Sequence, residues 1–222
     1  MSVSPDFPYG FIAAEHDARH QRLVEVSRAG ALVRSFACDD LPLDVDRRAD
    51  GRLLLTTRKS VIELDEDWRE VWRHTIADVF VSACQWLPDG LILVADTSCA
   101  EIYVLDHDRK KIRDVSVPRT PDLAPRYNLF RNVRQLPDGR LLVACHHDRK
   151  IAEFDWSRGL IWHAPVEGMP YMALRLAGER TLVSLGPSGR IVELDCAGLV
   201  TARYDMTDDH GLERGWIAGI TF

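Results

Sequence analysis

The 222-residue chain lacks any run of about 18 apolar residues, which excludes a membrane-spanning helix from the sequence. It also lacks an excess of positive charge, because 28 Lys and Arg stand against 34 Asp and Glu, for a net charge of −6. Such a chain has no bulk attraction for phosphates, so nucleic-acid binding is disfavoured. The opening residues MSVSPDFPYGF contain no basic or apolar signal region, and we expect a cytoplasmic protein without a secretory signal.

The sequence has no paired cysteine motif and no common catalytic motif. An odd number of cysteines without CxxC spacing predicts reduced, structural thiols rather than a disulfide framework. The five are Cys38, Cys84, Cys99, Cys145 and Cys196. A P-loop, a GxSxG elbow and an HExxH helix are also missing from the sequence. No motif therefore assigns a reaction or a cofactor.

What the chain does contain is an internal repeat, with a period of roughly 40 residues. Copies occur at 45–72, 84–113, 133–162 and 174–203, with a weaker one at 8–36. An Asp-Gly turn recurs in three copies at Gly51, Gly90 and Gly139, and Gly178-Glu179 replaces it in the fourth. An Asp-Gly pair between apolar runs is a hairpin signal.

Each copy contains about four short strand signals, a number and period typical of a β-propeller blade. The apolar run 53–55 is continuous, as in a strand buried on both faces, and 61–64 alternates. Parallel β/α repeats would need helical patterns between the strands, and none is visible. The sequence therefore predicts an all-β fold, a β-propeller of four-stranded antiparallel blades.

The two ends of the chain complement each other. The last residues, GWIAGITF, resemble the first strand of a further copy, and Phe11–Ala14 resembles the strand that follows it. We predict a single domain of five blades over 1–222, closed by pairing of the C-terminal strand with the N-terminal strands. The blades are approximately 8–38 plus 215–222, 39–76, 77–117, 127–166 and 167–207, with an insertion loop at 117–130. The alternative is a six-bladed propeller truncated after Phe222.

The motif LPDG(R)LLVA, followed by xIxEFDxxGxxxW, resembles the blades of quinoprotein-like (PQQ-like) β-propellers. The resemblance to NHL-type propellers and to the bacterial arylsulfotransferase propeller is weaker. The resemblance to propeller blades covers nearly the whole chain and implies the fold. It does not imply a function, because these blades carry many unrelated activities. The arylsulfotransferase family uses a histidine nucleophile, which the resemblance does not assign to a particular residue here. The chain is too short for the usual eight-bladed quinoprotein ring, so the resemblance does not imply bound PQQ.

The order of strands A to D in a blade divides the loops between two faces. We name the face with the B–C and D–A loops the rim face, and the face with the A–B and C–D loops the turn face. Ligand sites in propellers usually lie on the rim face, where the central channel opens. The Asp-Gly turns fall on the turn face, and we expect them to be structural.

Five of the eight histidines map to the rim face: His16, His20, His146, His147 and His210. Three of these, His146, His147 and His210, are our candidate catalytic residues, because a histidine can act as acid, base or nucleophile near neutral pH. His146 and His147 are adjacent, so only one of them can face the channel. Solvated loop histidines are the alternative. A divalent metal could be held with nearby aspartates, yet no ligand spacing supports one, so we assign no metal ligand.

The remaining rim residues are candidates for ligand binding. Arginines could bind an anion through paired hydrogen bonds, or form ordinary salt bridges. Tyrosines could line a pocket, or pack between blades. The insertion at 117–130 could be a lid, a partner-binding arm or a tolerated loop. The candidates are His16, His20, Arg58, Asp96, Tyr127, Arg131, Asp148 and Tyr171.

These observations predict a non-catalytic β-propeller that binds a ligand or a protein through its rim face. The expected partner is a small molecule, an acidic ligand or a protein, and neither a nucleic acid nor a membrane. The alternative is a channel-mouth enzyme, a lyase, hydrolase or sulfotransferase-like transferase. It would use a rim histidine as acid, base or nucleophile, with or without a divalent metal.

Overall fold

A computed structural model describes residues 10–16, 20–29, 31–76, 80–98, 101–116, 130–155, 159–186, 188–205 and 216–221. These residues form twenty strands and two single 3₁₀ turns, Pro88–Gly90 and Ala177–Glu179. None of the helices in this part of the chain is long and apolar enough to cross a membrane. In chain order the strands are β1 (Phe11–His16), β2 (Gln21–Val26), β3 (Leu32–Ala37), β4 (Pro42–Arg47), β5 (Leu53–Thr57), β6 (Ser60–Leu64), β7 (Glu70–Thr75), β8 (Val81–Trp86), β9 (Ile92–Asp96), β10 (Glu101–Leu105), β11 (Lys111–Ser116), β12 (Asn132–Gln135), β13 (Leu141–Cys145), β14 (Lys150–Asp155), β15 (Gly159–Pro165), β16 (Met172–Arg175), β17 (Thr181–Ser184), β18 (Arg190–Leu194), β19 (Val200–Asp205) and β20 (Trp216–Thr221).

The strands form five four-stranded antiparallel sheets, which confirms the predicted five-bladed propeller. Blades 2 to 5 each use four consecutive strands, from β4–β7 to β16–β19. Blade 1 has the order β20-β1-β2-β3, so its innermost strand comes from the C-terminal end of the chain. Ile12 pairs with Thr221 and His16 pairs with Trp216. The predicted closure by strand pairing is therefore also confirmed.

The A–B turns owe their shape to residues in the left-handed region of the backbone. Gly51, Gly90 and Gly139 have φ of 90°, 74° and 86°. In blade 5 both Gly178, at 71°, and Glu179, at 58°, adopt positive φ. Glycine adopts this region without the clash of a Cβ, so these turn residues shape the scaffold, as the sequence predicts.

Each pair of neighbouring blades encloses its own apolar core. Five buried clusters occupy the five interfaces, because both faces of every sheet are covered by a neighbour. At the junction that closes the ring, Phe11 and Val26 of blade 1 pack with Leu182 and Tyr204 of blade 5. The burial of apolar side chains against the next sheet is the main force that holds the ring together.

The inner strands β4, β8, β12, β16 and β20 contact one another around the centre. Within this ring Arg134 of β12 forms a two-point ion pair with Asp44 of β4, and both side chains are buried. Gly219 of β20 lies so close to Asp44 that a Cβ there would be 2.6 Å from the Asp44 Cα. The centre of the ring is thus filled by an ion pair.

Candidate ligand site at the rim face

Tyr171 occupies the centre of the rim face. It lies just before β16 of blade 5, is only 4% exposed, and joins the apolar core between blades 1 and 2. The ring therefore reaches across the mouth of the channel. Gly186 permits this position, because a Cβ at Gly186 would be 2.1 Å from the Tyr171 Cδ2.

His146 follows the end of β13 and packs edge-on against Tyr171. The two ring centroids are 4.7 Å apart, with an angle of 90° between the planes. His146 is buried and the adjacent His147 is exposed, with ring centroids 5.3 Å apart. The imidazole of His146 is therefore the one that faces the inside of the ring, at the predicted mouth.

Arg131, just before β12, lies on the other side of this cluster. Its guanidinium carbon is 5.0 Å from the centroid of the Tyr171 ring and 5.3 Å from that of Phe80. A guanidinium N–H donates a hydrogen bond to the Tyr171 hydroxyl. Burial lowers the pKa of Arg131 and raises that of Tyr171. The Nε–H of Arg131 is buried and has no partner among the described residues.

His146 is held in its neutral form. Burial, and then the positive charges of Arg131 and His147, lower its pKa to about 4. The Pro170 carbonyl accepts a hydrogen bond from the ring and opposes this shift. Nδ1 is buried without a partner among the described residues, so we assign the proton to the other nitrogen, towards Pro170. Nδ1 is then a free acceptor at neutral pH.

Asn132, next to Arg131 in the chain, is a deeply buried polar residue, at 1% exposure. It begins β12 and pairs with Ala144, two residues before His146. Neither its amide oxygen nor its amide nitrogen has a partner among the described residues. A buried polar group without a hydrogen bond costs about 1–3 kcal/mol, so such a group indicates a place for water or a polar ligand.

The structure brings three of the predicted site residues together, namely His146, Arg131 and Tyr171. His147 borders them. Arg58 is half exposed and pairs with Asp40, with 3.2 Å between nitrogen and oxygen. Asp148 pairs with Lys150 at 2.7 Å.

Two other candidates lie at the ends of strands. Asp96 accepts hydrogen bonds from the backbone N–H and the hydroxyl of Ser98, at 2.8 and 2.5 Å. His20 lies just before β2 and is partly buried. Tyr127 and His210, with residues 117–129 of the predicted insertion loop, lie outside the described residues, as does the side chain of His16. No group of three or more His, Cys, Asp or Glu among the described residues is placed to hold a metal ion.

Sequence reasoning missed Asn132 and Phe80 at the rim face and the Asp44–Arg134 pair in the channel. A signal for three of these exists in the inner strands, where polar residues alternate with apolar ones. Asp44-Val45-Asp46 and Asn132-Val133-Arg134 both show it. On an innermost strand, alternation places polar side chains together on one side.

Known proteins resemble this chain in structure. No protein-family model and no curated protein matches the sequence. A crystal structure of a protein of unknown function from Bacteroides caccae has a TM-score of 0.67 and 17% identity, over 90% of this chain and 74% of that one.

Two enzymes are also structurally similar. Catalytically inactive virginiamycin B lyase from Staphylococcus aureus, a His-to-Ala variant with quinupristin, has a TM-score of 0.55 and 10% identity, over 92% of this chain and 73% of the lyase. Glutaminyl cyclase from Myxococcus xanthus has a TM-score of 0.57 and 12% identity, over 74% of this chain and 70% of the cyclase. At these identities the likeness shows the fold alone, and the finer resemblance to PQQ-like or NHL-type blades stays a prediction.

Proposed function

We propose that this propeller is a non-catalytic binding protein that takes a small acidic ligand at the rim face. The observation that carries the proposal is a set of buried polar atoms without partners among the described residues, at the rim-face ends of β12 and β13. They are Arg131 Nε, His146 Nδ1 and both amide atoms of Asn132. Because these atoms are buried, the lack of hydrogen bonds costs free energy, and a polar ligand would supply the missing bonds.

The types of these atoms define the ligand. Arg131 Nε–H and the Asn132 amide nitrogen are donors, suited to a carboxylate oxygen, whereas the Asn132 amide oxygen is an acceptor. His146 Nδ1 is an acceptor, suited to a hydroxyl of the same ligand. A small hydroxycarboxylate presents both groups at adjacent carbons. A His146 pKa of about 4 favours binding over acid–base catalysis, because an efficient catalytic base has a pKa near the working pH.

The test combines native mass spectrometry of the purified protein with calorimetric titration of lactate, malate and their amides. Wild type should bind at least one hydroxycarboxylate and bind its amide at least tenfold more weakly. Arg131→Gln should reduce the affinity at least tenfold. Arg58→Gln is the matched control, because that arginine lies on the same face in an exposed ion pair with Asp40. Absence of binding to all the acids, or equal affinity in Arg131→Gln, contradicts the proposal.

A channel-mouth enzyme is the second candidate, supported by the structural likeness to a lyase that a His-to-Ala substitution inactivates. In that case His146 would act as a neutral nucleophile or a weak base on a molecule held by Arg131. Turnover would then disappear in His146→Ala and stay constant from pH 6 to 8. Binding of a hydroxycarboxylate that is never converted favours the first proposal.

A further inference from the structure

The opposite end of the channel contains a cavity. On the turn face a space of about 840 Å³ opens between the inner strands and the A–B turns. Its walls include Asp46, Trp86, Pro88, Arg134, Pro137 and Leu174. The buried ion pair of Arg134 with Asp44 lies at its inner end and separates it from Tyr171 and His146 at the rim face. The size suits a drug-sized molecule.

Asp46 stands apart from the other charged side chains of this cavity. Arg134 pairs with Asp44, Asp138 with Arg140, and Arg175 with Glu153. Asp46 accepts a hydrogen bond from the backbone N–H of Trp86 at 2.7 Å, but has no ion-pair partner within the described ranges. Two carboxylates, Asp44 and Asp46, therefore face one guanidinium. Burial raises the pKa of Asp46 to about 6, although the charge of Arg134 and the hydrogen bond from Trp86 act to lower it.

Two buried N–H groups of the same walls have no acceptor. The Nε–H of Arg134, a residue only 3% exposed, is one of them, although its other nitrogens are fully engaged. The indole Nε1–H of Trp86 is the other. Both are donors only, so the missing partner is an oxygen or another acceptor. A carboxylate without its own ion-pair partner and two donors without an acceptor therefore belong to residues that line one cavity.

We propose that this cavity is a second binding site, for a small organic ammonium compound with a neighbouring hydroxyl or carbonyl oxygen. The ammonium group pairs with Asp46. The oxygen accepts from Trp86 Nε1–H and Arg134 Nε–H, and the apolar body lies against Pro88, Pro137 and Leu174. This site does not depend on the rim-face proposal, since it uses the other end of the channel and the opposite charge.

The test uses phenylalaninol, which carries an ammonium and a hydroxyl group on an apolar body. Two probes each lack one feature: phenethylamine has no hydroxyl, and 3-phenylpropan-1-ol has no ammonium. In calorimetric titration of the full chain, phenylalaninol should bind most tightly, and each of the others at least fivefold more weakly. In a ¹H–¹⁵N spectrum, phenylalaninol should shift one indole N–H signal, the one missing from Trp86→Phe.

Variants distinguish the residues that bind the ligand from residues that only line the cavity. Asp46→Asn should weaken phenylalaninol at least tenfold and leave 3-phenylpropan-1-ol unchanged. Asp138→Asn, a lining carboxylate already paired with Arg140, should bind like wild type. Trp86→Phe keeps an aromatic ring at this position and removes the indole N–H together with the five-membered part of the indole, which provides a test if Asp46→Asn folds poorly. His146→Ala should not alter phenylalaninol binding, so failure here and failure at the rim face are distinguishable. If neither amine binds, or if Asp46→Asn and Trp86→Phe both bind phenylalaninol with wild-type affinity, the proposal is overturned.

Discussion

Arg134 of blade 4 reaches across the ring to Asp44 of blade 2 and forms two parallel hydrogen bonds with its carboxylate, at 2.6 and 2.7 Å. The same guanidinium donates to the carbonyls of Cys84 and Val45, at 3.0 and 3.3 Å. The backbone N–H of Cys84 in turn donates to Asp44 at 3.1 Å. One arginine therefore ties together three inner strands that are distant in sequence.

Removal of one partner of this pair should be strongly destabilising. Arg134→Leu leaves the Asp44 charge buried without compensation, and we expect the free energy of unfolding to fall by about 3–5 kcal/mol. The double variant Asp44→Leu with Arg134→Leu should recover part of this loss, because no charge stays buried. Urea unfolding followed by tryptophan fluorescence measures both. Arg58→Leu, in an exposed pair, should cost less than about 1 kcal/mol, and a similar loss in both arginine variants would refute the role of burial.

Gly186→Ala should destabilise the protein, because the new methyl group would clash with the ring of Tyr171. A Cβ at Gly186 would be 2.1 Å from Tyr171 Cδ2, and we expect a loss of about 1–3 kcal/mol from overpacking, besides the strain of its positive φ. In a Tyr171→Ala background the same substitution should cost only the strain. Gly178→Ala is the control for strain, since Gly178 has φ of 71° and open space around it. An equal penalty for Gly186→Ala in both backgrounds would contradict the close contact.

His146 should make the protein less stable as the pH falls from about 6.5 to about 4. In this window the unfolded chain binds a proton on His146, whereas the folded protein keeps the ring neutral, so protonation favours unfolding. The complete effect is on the order of 3 kcal/mol. Asp46, with a raised pKa, acts in the opposite direction, and His74, with a lowered one, acts in the same direction.

The contribution of His146 is therefore measured as a difference. Urea unfolding of wild type and His146→Gln at several pH values should give two curves that approach each other as the pH falls. Parallel curves over the whole range would mean that the folded protein accepts the proton on His146 as easily as the unfolded chain does.

The described cysteines should differ widely in reactivity. Burial raises the pKa of Cys38 and Cys145 to about 12 and that of Cys84 well above its usual value, whereas Cys196 is exposed. Because the thiolate is the reactive form, iodoacetamide at pH 8 should label Cys196 first among these four. Peptide mapping by mass spectrometry gives the order. Modification of Cys145 as fast as Cys196 would contradict its burial, and all four should react once guanidinium unfolds the chain.

The sequence predicts the architecture well because its signals are local. The Asp-Gly turns at Gly51, Gly90 and Gly139 recur at the same position in three blades, and the C-terminal strand resembles the first strand of a blade. Contacts across the ring, in contrast, have no local sequence signal. Nothing near Arg134 in sequence indicates Asp44, because their meeting depends on the size of the closed ring. The same holds for Tyr171, whose position over the channel depends on Gly186.

The candidate site could be predicted only in outline. Histidines and arginines in the rim loops identified His146 and Arg131, but periodicity does not tell a buried imidazole from a solvated one. Arg58 and Asp148 have the same local signal as Arg131, and the structure pairs them with Asp40 and Lys150. The sequence did not predict the cavity on the turn face, because its walls come from four blades.

The pairing of β20 with β1 also determines the order in which the chain can fold during its synthesis. Blades 2 to 5 are local meanders and can form as each emerges from the ribosome. Blade 1 must wait, with the inner edge of β1 open, until β20 has been made. During this interval the exposed edge can accept the β20 of another chain. At high local concentration, exchange of β20 between two copies would give a strand-swapped dimer.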